Sequence, residues 1–196
     1  MITKRQLAIK RLFDVVLVLV LLPILIIPIL VLILCASIDT KRYGVFSQWR
    51  VGQHGKLFKI YKIRTLKEDT HELGHLEKSA TTLGKYLRRT KLDELPQLFN
   101  VLLGDMSFVG PRPDVQGFAD ELEGEDRIIL LVKPGITGEA TLKYKDEERE
   151  LERQKDPEHY NRTIIWVDKV KINKNYVRNY SFYLDLRLII QSTLNK

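Results

Sequence analysis

Between Val15 and Ile38 the chain runs for 24 residues without a formally charged side chain, and most of them are Leu, Ile or Val. At about 1.5 Å per residue a straight helix of that length is roughly 36 Å long, enough to cross a bilayer core of about 30 Å. The run is too long for a secretory signal, no small-residue cleavage site follows it, and charged sequence resumes at once. Hydropathy alone suggests a single spanning helix. Two features argue for another arrangement. Pro23 and Pro28 sit inside the run, and each removes a backbone hydrogen bond and predicts a bend. Both flanks are basic, with Lys4, Arg5, Lys10 and Arg11 before and Lys41, Arg42 and Arg50 after, so positive-inside bias cannot orient a crossing. A re-entrant helix–break–helix over residues 1–40, broken at Pro28 and Pro23, satisfies both. Residues 41–196 then form a domain on the cytoplasmic face.

Charge distribution supports a membrane setting. Residues 1–64 carry 11 Lys or Arg against 2 Asp or Glu, while residues 65–196 are close to balanced. Basic residues around an apolar insert suit anionic lipid head groups. No basic stripe with interleaved aromatics points to nucleic acid. The single cysteine, Cys35, lies in the apolar run and cannot form an internal disulfide.

Beyond the run, Val45–Val51 and Lys56–Arg64 read as two strands joined by Gly52-Gln53-His54-Gly55, a hairpin signal. Lys56, Lys59, Lys62 and Arg64 on the second strand read either as a solvated face or as part of a phosphate site. Residues 65–82 read as a polar loop containing His71-Glu72-Leu73-Gly74-His75, which matches the zinc-protease pattern letter for letter. That chemistry requires both histidines on one stable helix face and a third ligand. The preceding residues lack apolar periodicity, Gly74 weakens a helix, and the only later histidine, His159, has no motif around it.

Leu83 to Lys91 predicts a short basic helix with Leu83, Tyr86 and Leu87 opposite Lys85, Arg88 and Arg89, an interfacial pattern. Next comes Lys91-Leu92-Asp93-Glu94-Leu95-Pro96-Gln97-Leu98-Phe99-Asn100. Pro96 suits a first helical turn, so the spacing predicts a helix from about Asp93 to Gly104. Asp93 then reads two ways. It is an N-cap, with Glu94 favouring the helix dipole, or it works on a phosphate drawn to a helix start beside Arg88 and Arg89. Carboxylate beside phosphate is repulsive unless a divalent cation intervenes, which implies Mg²⁺, and an Asp so placed can attack phosphorus and hold a phosphoryl group.

Gly110-Pro111-Arg112-Pro113 predicts a stiff turn that aims the Arg112 fork, with Gly110, Pro111 and Pro113 shaping the site. Lys133-Pro134-Gly135-Ile136-Thr137-Gly138 predicts a second tight turn. Residues 139–171 are charge-rich and read as a solvated helix and loop. Tyr176 to Leu194 predicts a packing or interface-lying helix with Phe182, Leu186, Ile189 and Ile190 on one face.

Several ordered blocks resemble the bacterial sugar transferase family, the small monotopic phosphoglycosyl transferases. They are Lys10 to Asp14, Gln48 to Gly52, Phe58 to Thr65, Leu92 to Leu102, Gly104 to Pro113, Lys133 to Gly138 and Asn179 to Leu186. The resemblance implies an α+β, mostly helical fold with the re-entrant helix, a small hairpin and interfacial amphipathic helices around the active site. It implies transfer of a phosphosugar from a UDP-sugar to a polyprenyl (undecaprenyl) phosphate, with release of UMP, as an initiating step of glycoconjugate synthesis at the cytoplasmic face of the plasma membrane. By the same resemblance Asp93 is the nucleophile that takes up the phosphosugar covalently, and Glu94 is the partner acid at Mg²⁺. Arg88 and Arg112 match positions suited to phosphate contact. Lys62 and Arg64 join this set from their place beside the membrane segment. The chain departs from the family where Ile27 replaces the Ser of the usual Ser-Pro break, and in the segment after Gly138, where sugar selectivity is expected in part. Two other readings stand beside it: a membrane zinc protease using His71, Glu72 and His75, and a non-enzymatic membrane scaffold in which Asp93 only caps a helix. No sequence feature fixes the oligomeric state or the sugar.

Overall fold

A computed structural model describes residues 1–67 and 79–194. The apolar run lies within one long helix, α1, Lys4–Thr40, opened by a Thr3–Gln6 capping box in which each side chain satisfies a backbone N–H of the other residue. Its buried residues, Lys10, Asp14, Val18, Ile29, Ala36 and Thr40, recur near helical spacing and form one stripe. Val18 and Ile29 enter the main core with Phe58, Leu98, Val101 and Phe108. Burying each such side chain contributes about 1.5–3 kcal/mol. Leu17, Leu21, Leu25 and Ile33 lean half-buried on that core, but only 11% of the helix's most apolar 18-residue window is buried, unlike the core helix of a water-soluble domain.

The expected break at Pro28 and Pro23 is not present as an interruption, because the helix continues through both prolines. Both prolines are exposed, and Val18 before them and Ile29 after them are anchored in the core, so packing holds the two halves in one helix across the lost hydrogen bonds. Both ends of α1 engage the same body. Near the start, Lys10 Nζ lies 2.6 Å from Asp185 Oδ2, and Arg11 donates to the carbonyls of Val101 and Leu102. Asp14 Oδ1 accepts from Ser107 Oγ and Phe108 N. At the far end Gly44 N donates to Ser37 Oγ, and a Cβ on Gly44 would stand 2.0 Å from the Ile33 carbonyl oxygen.

The hairpin forms as expected: β1, Val45–Val51, pairs antiparallel with β2, Leu57–Ile63, with Arg50 opposite Phe58 and Phe46 opposite Lys62. α2, Thr82–Thr90, is capped by Thr81 and docks Leu87 against Ala36 of α1 and Ile63. Tyr86, expected on that apolar face, is exposed instead. α3, Gln97–Leu103, ends at Gly104, whose φ of +93° suits glycine.

Two short strands went unanticipated. β3, Ser107–Val109, pairs in parallel with β4, Gly135–Thr137. The two expected turns lie against each other at the end of this pair: a Cβ on Gly135 would sit 2.1 Å from Gly110 N, so only glycine permits the approach. Residues 139–171 are more ordered than a solvated helix and loop. They hold α4 (Glu139–Lys143), α5 (Glu147–Glu152), α6 (Pro157–Tyr160), a π-helical turn (Asn161–Ile165) and the start of α7 (Trp166–Arg178). Leu151 and Ile165 are buried, and Lys169 is buried because Glu147 receives its charge at 2.7 Å. α8, Phe182–Leu194, buries Asp185 and Leu188. Ile190 is exposed, so the buried stripe is rotated from the expected one because Asp185 is drawn inward by Lys10, Tyr176 and Tyr180.

Candidate active site

Asp93 and Glu94 lie in a single 3₁₀ turn, Leu92–Glu94, set off from α2 by Lys91 in the left-handed region at φ 59°. The regular helix begins only at Gln97, after Pro96. The expectation of a helix from Asp93 is therefore corrected, and so is the capping role. Asp93 makes no capping hydrogen bond: its Oδ1 is buried with no partner among the described residues. The turn is closed through its backbone, with Glu94 N donating to the Lys91 carbonyl and Leu95 N to that of Leu92. A buried carboxylate oxygen without a partner is costly. An Asn or Ser would have served a cap equally well.

The neighbouring acid is held through one oxygen. Glu94 Oε1 accepts from Arg112 Nη2 at 2.8 Å and from Lys62 Nζ at 3.1 Å. Burial alone would raise the Glu94 carboxyl, yet the Arg112 and Lys62 charges outweigh it and hold it well below the usual carboxylate range. Asp93 goes the other way. Burial pushes its carboxyl up, opposed by Lys62 and, through space, by Arg88. Lys62 is lowered by burial despite Glu94, while Arg112 is raised chiefly by Glu94.

Three elements bring these groups together. Asn100 of α3 is fully buried and clamps β2, accepting from Tyr61 N and donating to the Lys59 carbonyl, which fixes Lys62 beside the acidic turn. The Arg112 turn is tied down on both sides, with Gly110 N donating to Thr137 O, Gly135 N to Pro111 O, and Val51 N to Asp114 O. Pro113 contributes its carbonyl to Arg50 Nη1 at 3.4 Å. Arg88 Nη2 is paired with Glu148 Oε2 at 2.6 Å and acts on Asp93 only through space. Arg64 donates to the Tyr43 carbonyl and stacks over Phe46. Sequence reasoning missed Arg50, Gln97, Asn100 and Asp114 as groups around the site. Asp114 is pushed up to about 6, chiefly by burial, against Lys169 and Arg50.

A small, water-sized cavity lies beside the Glu94 ion pairs, lined by Arg50, Ile60, Lys62, Gln97, Arg112 and Pro113. A buried acid with a free oxygen, followed by one whose cationic partners line a cavity, is suited to a phosphorylated substrate. Among the described residues no group of three His, Cys, Asp or Glu could hold a metal. Asp93 and Glu94 suit Mg²⁺ nonetheless, because that ion takes one or two carboxylates and fills its other positions with water and substrate phosphate. The unpartnered Asp93 Oδ1 is the observation in favour. His71, Glu72 and His75 lie outside the described residues.

The chain belongs to the bacterial sugar transferase family, whose model matches residues 5–196. It is 39% identical over 152 residues, 72% of this chain and 81% of the relative, to a Bacillus subtilis (strain 168) protein named "Putative undecaprenyl-phosphate N-acetylgalactosaminyl 1-phosphate transferase". It is 34% identical over 184 residues to the uncharacterized sugar transferase EpsL of the same organism, covering 92% of this chain and 83% of the relative. It is 36% identical over 193 residues to the UDP-glucose:undecaprenyl-phosphate glucose-1-phosphate transferase of Klebsiella pneumoniae, covering 94% of this chain and 39% of that longer protein. Neither the protease nor the scaffold reading gains support from these matches.

Proposed function

We propose that this chain transfers a phosphosugar from a UDP-sugar to undecaprenyl phosphate or a similar polyprenyl phosphate, releasing UMP. The observation that carries this reading is the buried Asp93 carboxylate, with one oxygen unpartnered, next in sequence to Glu94, whose partners Lys62 and Arg112 line a cavity together with Arg50. The names of relatives in the same family agree with it.

The chemistry we infer runs through a covalent intermediate on Asp93. Asp93 attacks the phosphorus that carries the sugar, a P–O bond to that phosphorus forms, and the P–O bond to UMP breaks with its electron pair leaving on UMP. An oxygen of the lipid phosphate then attacks the same phosphorus, and the bond to Asp93 breaks to restore the carboxylate. Lys62 opposes the burial that pushes the Asp93 carboxyl up. Arg112 fixes Glu94 and presents its remaining donors to phosphate. Asp93 and Glu94 are the residues that would hold Mg²⁺, which would offset repulsion between carboxylate and phosphate.

We place the domain on the cytoplasmic face with α1 re-entrant, leaning on its body by one stripe and turning its bare side to lipid. Two observations support this placement. Lys10 and Asp14 at one end and Ala36, packed on Ile63 and Leu87, at the other engage one body, and basic residues flank both ends. A spanning helix would have to separate those ends across the bilayer.

A panel of UDP-sugars incubated with polyprenyl phosphate and scored by UMP release tests the reaction and identifies the sugar. UMP release from none of the panel would refute it.

A further inference from the structure

Alternation along the hairpin places Arg50 and Gln48 of β1 on the same face as Phe58, Ile60 and Lys62 of β2. That face is met by the start of α3 and by the Arg112 turn, and the space left between them is the cavity beside Glu94. Three of its lining residues are cations, Arg50, Lys62 and Arg112, and no carboxylate lines it. Two of the three are already answered by Glu94. Arg50 is not. Its Nη2 donates to Gln48 Oε1 at 2.7 Å, and its Nη1 reaches the Pro113 carbonyl only at 3.4 Å, near the limit of a hydrogen bond. Its Nε is buried and has no partner among the described residues. Asp114 and Glu94 act on Arg50 through space, but neither hydrogen bonds to it.

A guanidinium kept only to pin the turn would have its buried N–H groups satisfied. Here one is left open beside a second arginine, and burial together with Arg112 depresses Arg50 to about 10. An anion between the two forks relieves both penalties. The cavity is about the size of one water, which suits it to a single phosphoryl oxygen held between the two forks.

We propose that this cavity is a phosphoryl-oxygen subsite in which Arg50 binds the same phosphoryl group as Lys62 and Arg112. The inference rests on the phosphosugar-transfer reading and deepens it. The anionic oxygen belongs either to the nucleotide phosphate that departs as UMP or to the phosphate of the lipid acceptor.

The test uses the full chain in detergent or vesicles, comparing wild type with Arg50→Gln and Arg50→Lys. Three quantities are measured: the inhibition constant of UMP, the KM of polyprenyl phosphate, and the melting temperature. In Arg50→Gln one of the first two rises about tenfold or more, the scale of one lost charge-assisted hydrogen bond, with melting close to wild type and partial recovery in Arg50→Lys. A rise in the UMP constant assigns the subsite to the nucleotide, and a rise in the acceptor KM assigns it to the lipid. Both constants staying within about twofold of wild type would overturn the proposal, as would a fall in melting temperature accompanied only by a lower kcat. If wild type releases UMP from no UDP-sugar, the transfer reading fails. Calorimetry with inorganic pyrophosphate then still reads the subsite, and equal affinity of wild type and Arg50→Gln refutes it.

Discussion

Arg112 reaches from the Gly110–Pro113 turn to Glu94, donating from Nη2 to Oε1 at 2.8 Å, and Lys62 meets the same oxygen from the hairpin at 3.1 Å. One carboxylate oxygen thus ties together three segments remote in sequence: β2, the acidic 3₁₀ turn and the loop after β3. A lysine at position 112 would keep the charge but lose the planar fork that can hold Glu94 and a phosphate at once. Arg112→Lys is expected to lower kcat/KM for UMP release about 10–100-fold, the loss of one charged hydrogen bond. Wild-type turnover in that variant would mean that charge alone suffices.

The start of α1 is held by a second buried pair. Lys10 and Asp185 are almost fully buried, 2.6 Å apart, and Asp185 also accepts from Tyr176 and Tyr180. Removing one partner leaves a buried charge unanswered, which costs about 3–5 kcal/mol. Lys10→Met and Asp185→Asn are each expected to be destabilised on that scale, and the double variant by clearly less than their sum. Chemical unfolding of the four proteins in detergent measures this, and strict additivity would show that the two charges are not coupled.

Asp114 gives a pH signature. Its folded-state pKa of about 6 lies above the ordinary value of 3.8, so the fold favours the protonated acid. That contribution is complete below about pH 4 and is lost as the pH rises through 6. Asp114→Asn is therefore expected to melt higher than wild type at pH 8, by the equivalent of about 1–3 kcal/mol after allowance for its partial solvent exposure. The gap should narrow at pH 5. A gap independent of pH would remove Asp114 as its cause.

Re-entry predicts that residues before and after α1 share one side of the membrane. With Cys35 replaced by Ser, single cysteines at Ile2 and at the exposed Tyr43 should react with an impermeant maleimide from the same side of sealed vesicles. Labelling from opposite sides would mean that α1 spans.

Local signals carried much of this architecture, and long-range pairing carried the rest. The hairpin was legible because Gly52 and Gly55 bracket two β-prone runs, and α1 because its apolar run is far longer than a strand can use. The setting of Asp93 was not: Pro96 marks a helix start nearby, but the left-handed turn at Lys91 places both acids in a separate 3₁₀ turn. β3 and β4 escaped notice because strands of three residues are too short to show alternation. Arg88 and Glu148 lie 60 residues apart, and Glu147 and Lys169 lie 22 apart. No local pattern announces such pairs, which is why a charge-rich segment read as solvated turned out to bury Lys169. Arg50 was visible only as a flanking charge, since strand spacing puts it on the face of Lys62 but cannot reveal that the Arg112 turn closes over both.

The central claim is that Asp93 is the nucleophile, and intact-mass measurement of the protein after incubation with its UDP-sugar, without lipid acceptor, tests it most directly. Wild type should gain the mass of one phosphosugar and release one equivalent of UMP. Asp93→Asn, matched in shape but not in charge, should gain none and should fail to transfer. An adduct on Asp93→Asn, or full transfer activity without Asp93, would contradict the account.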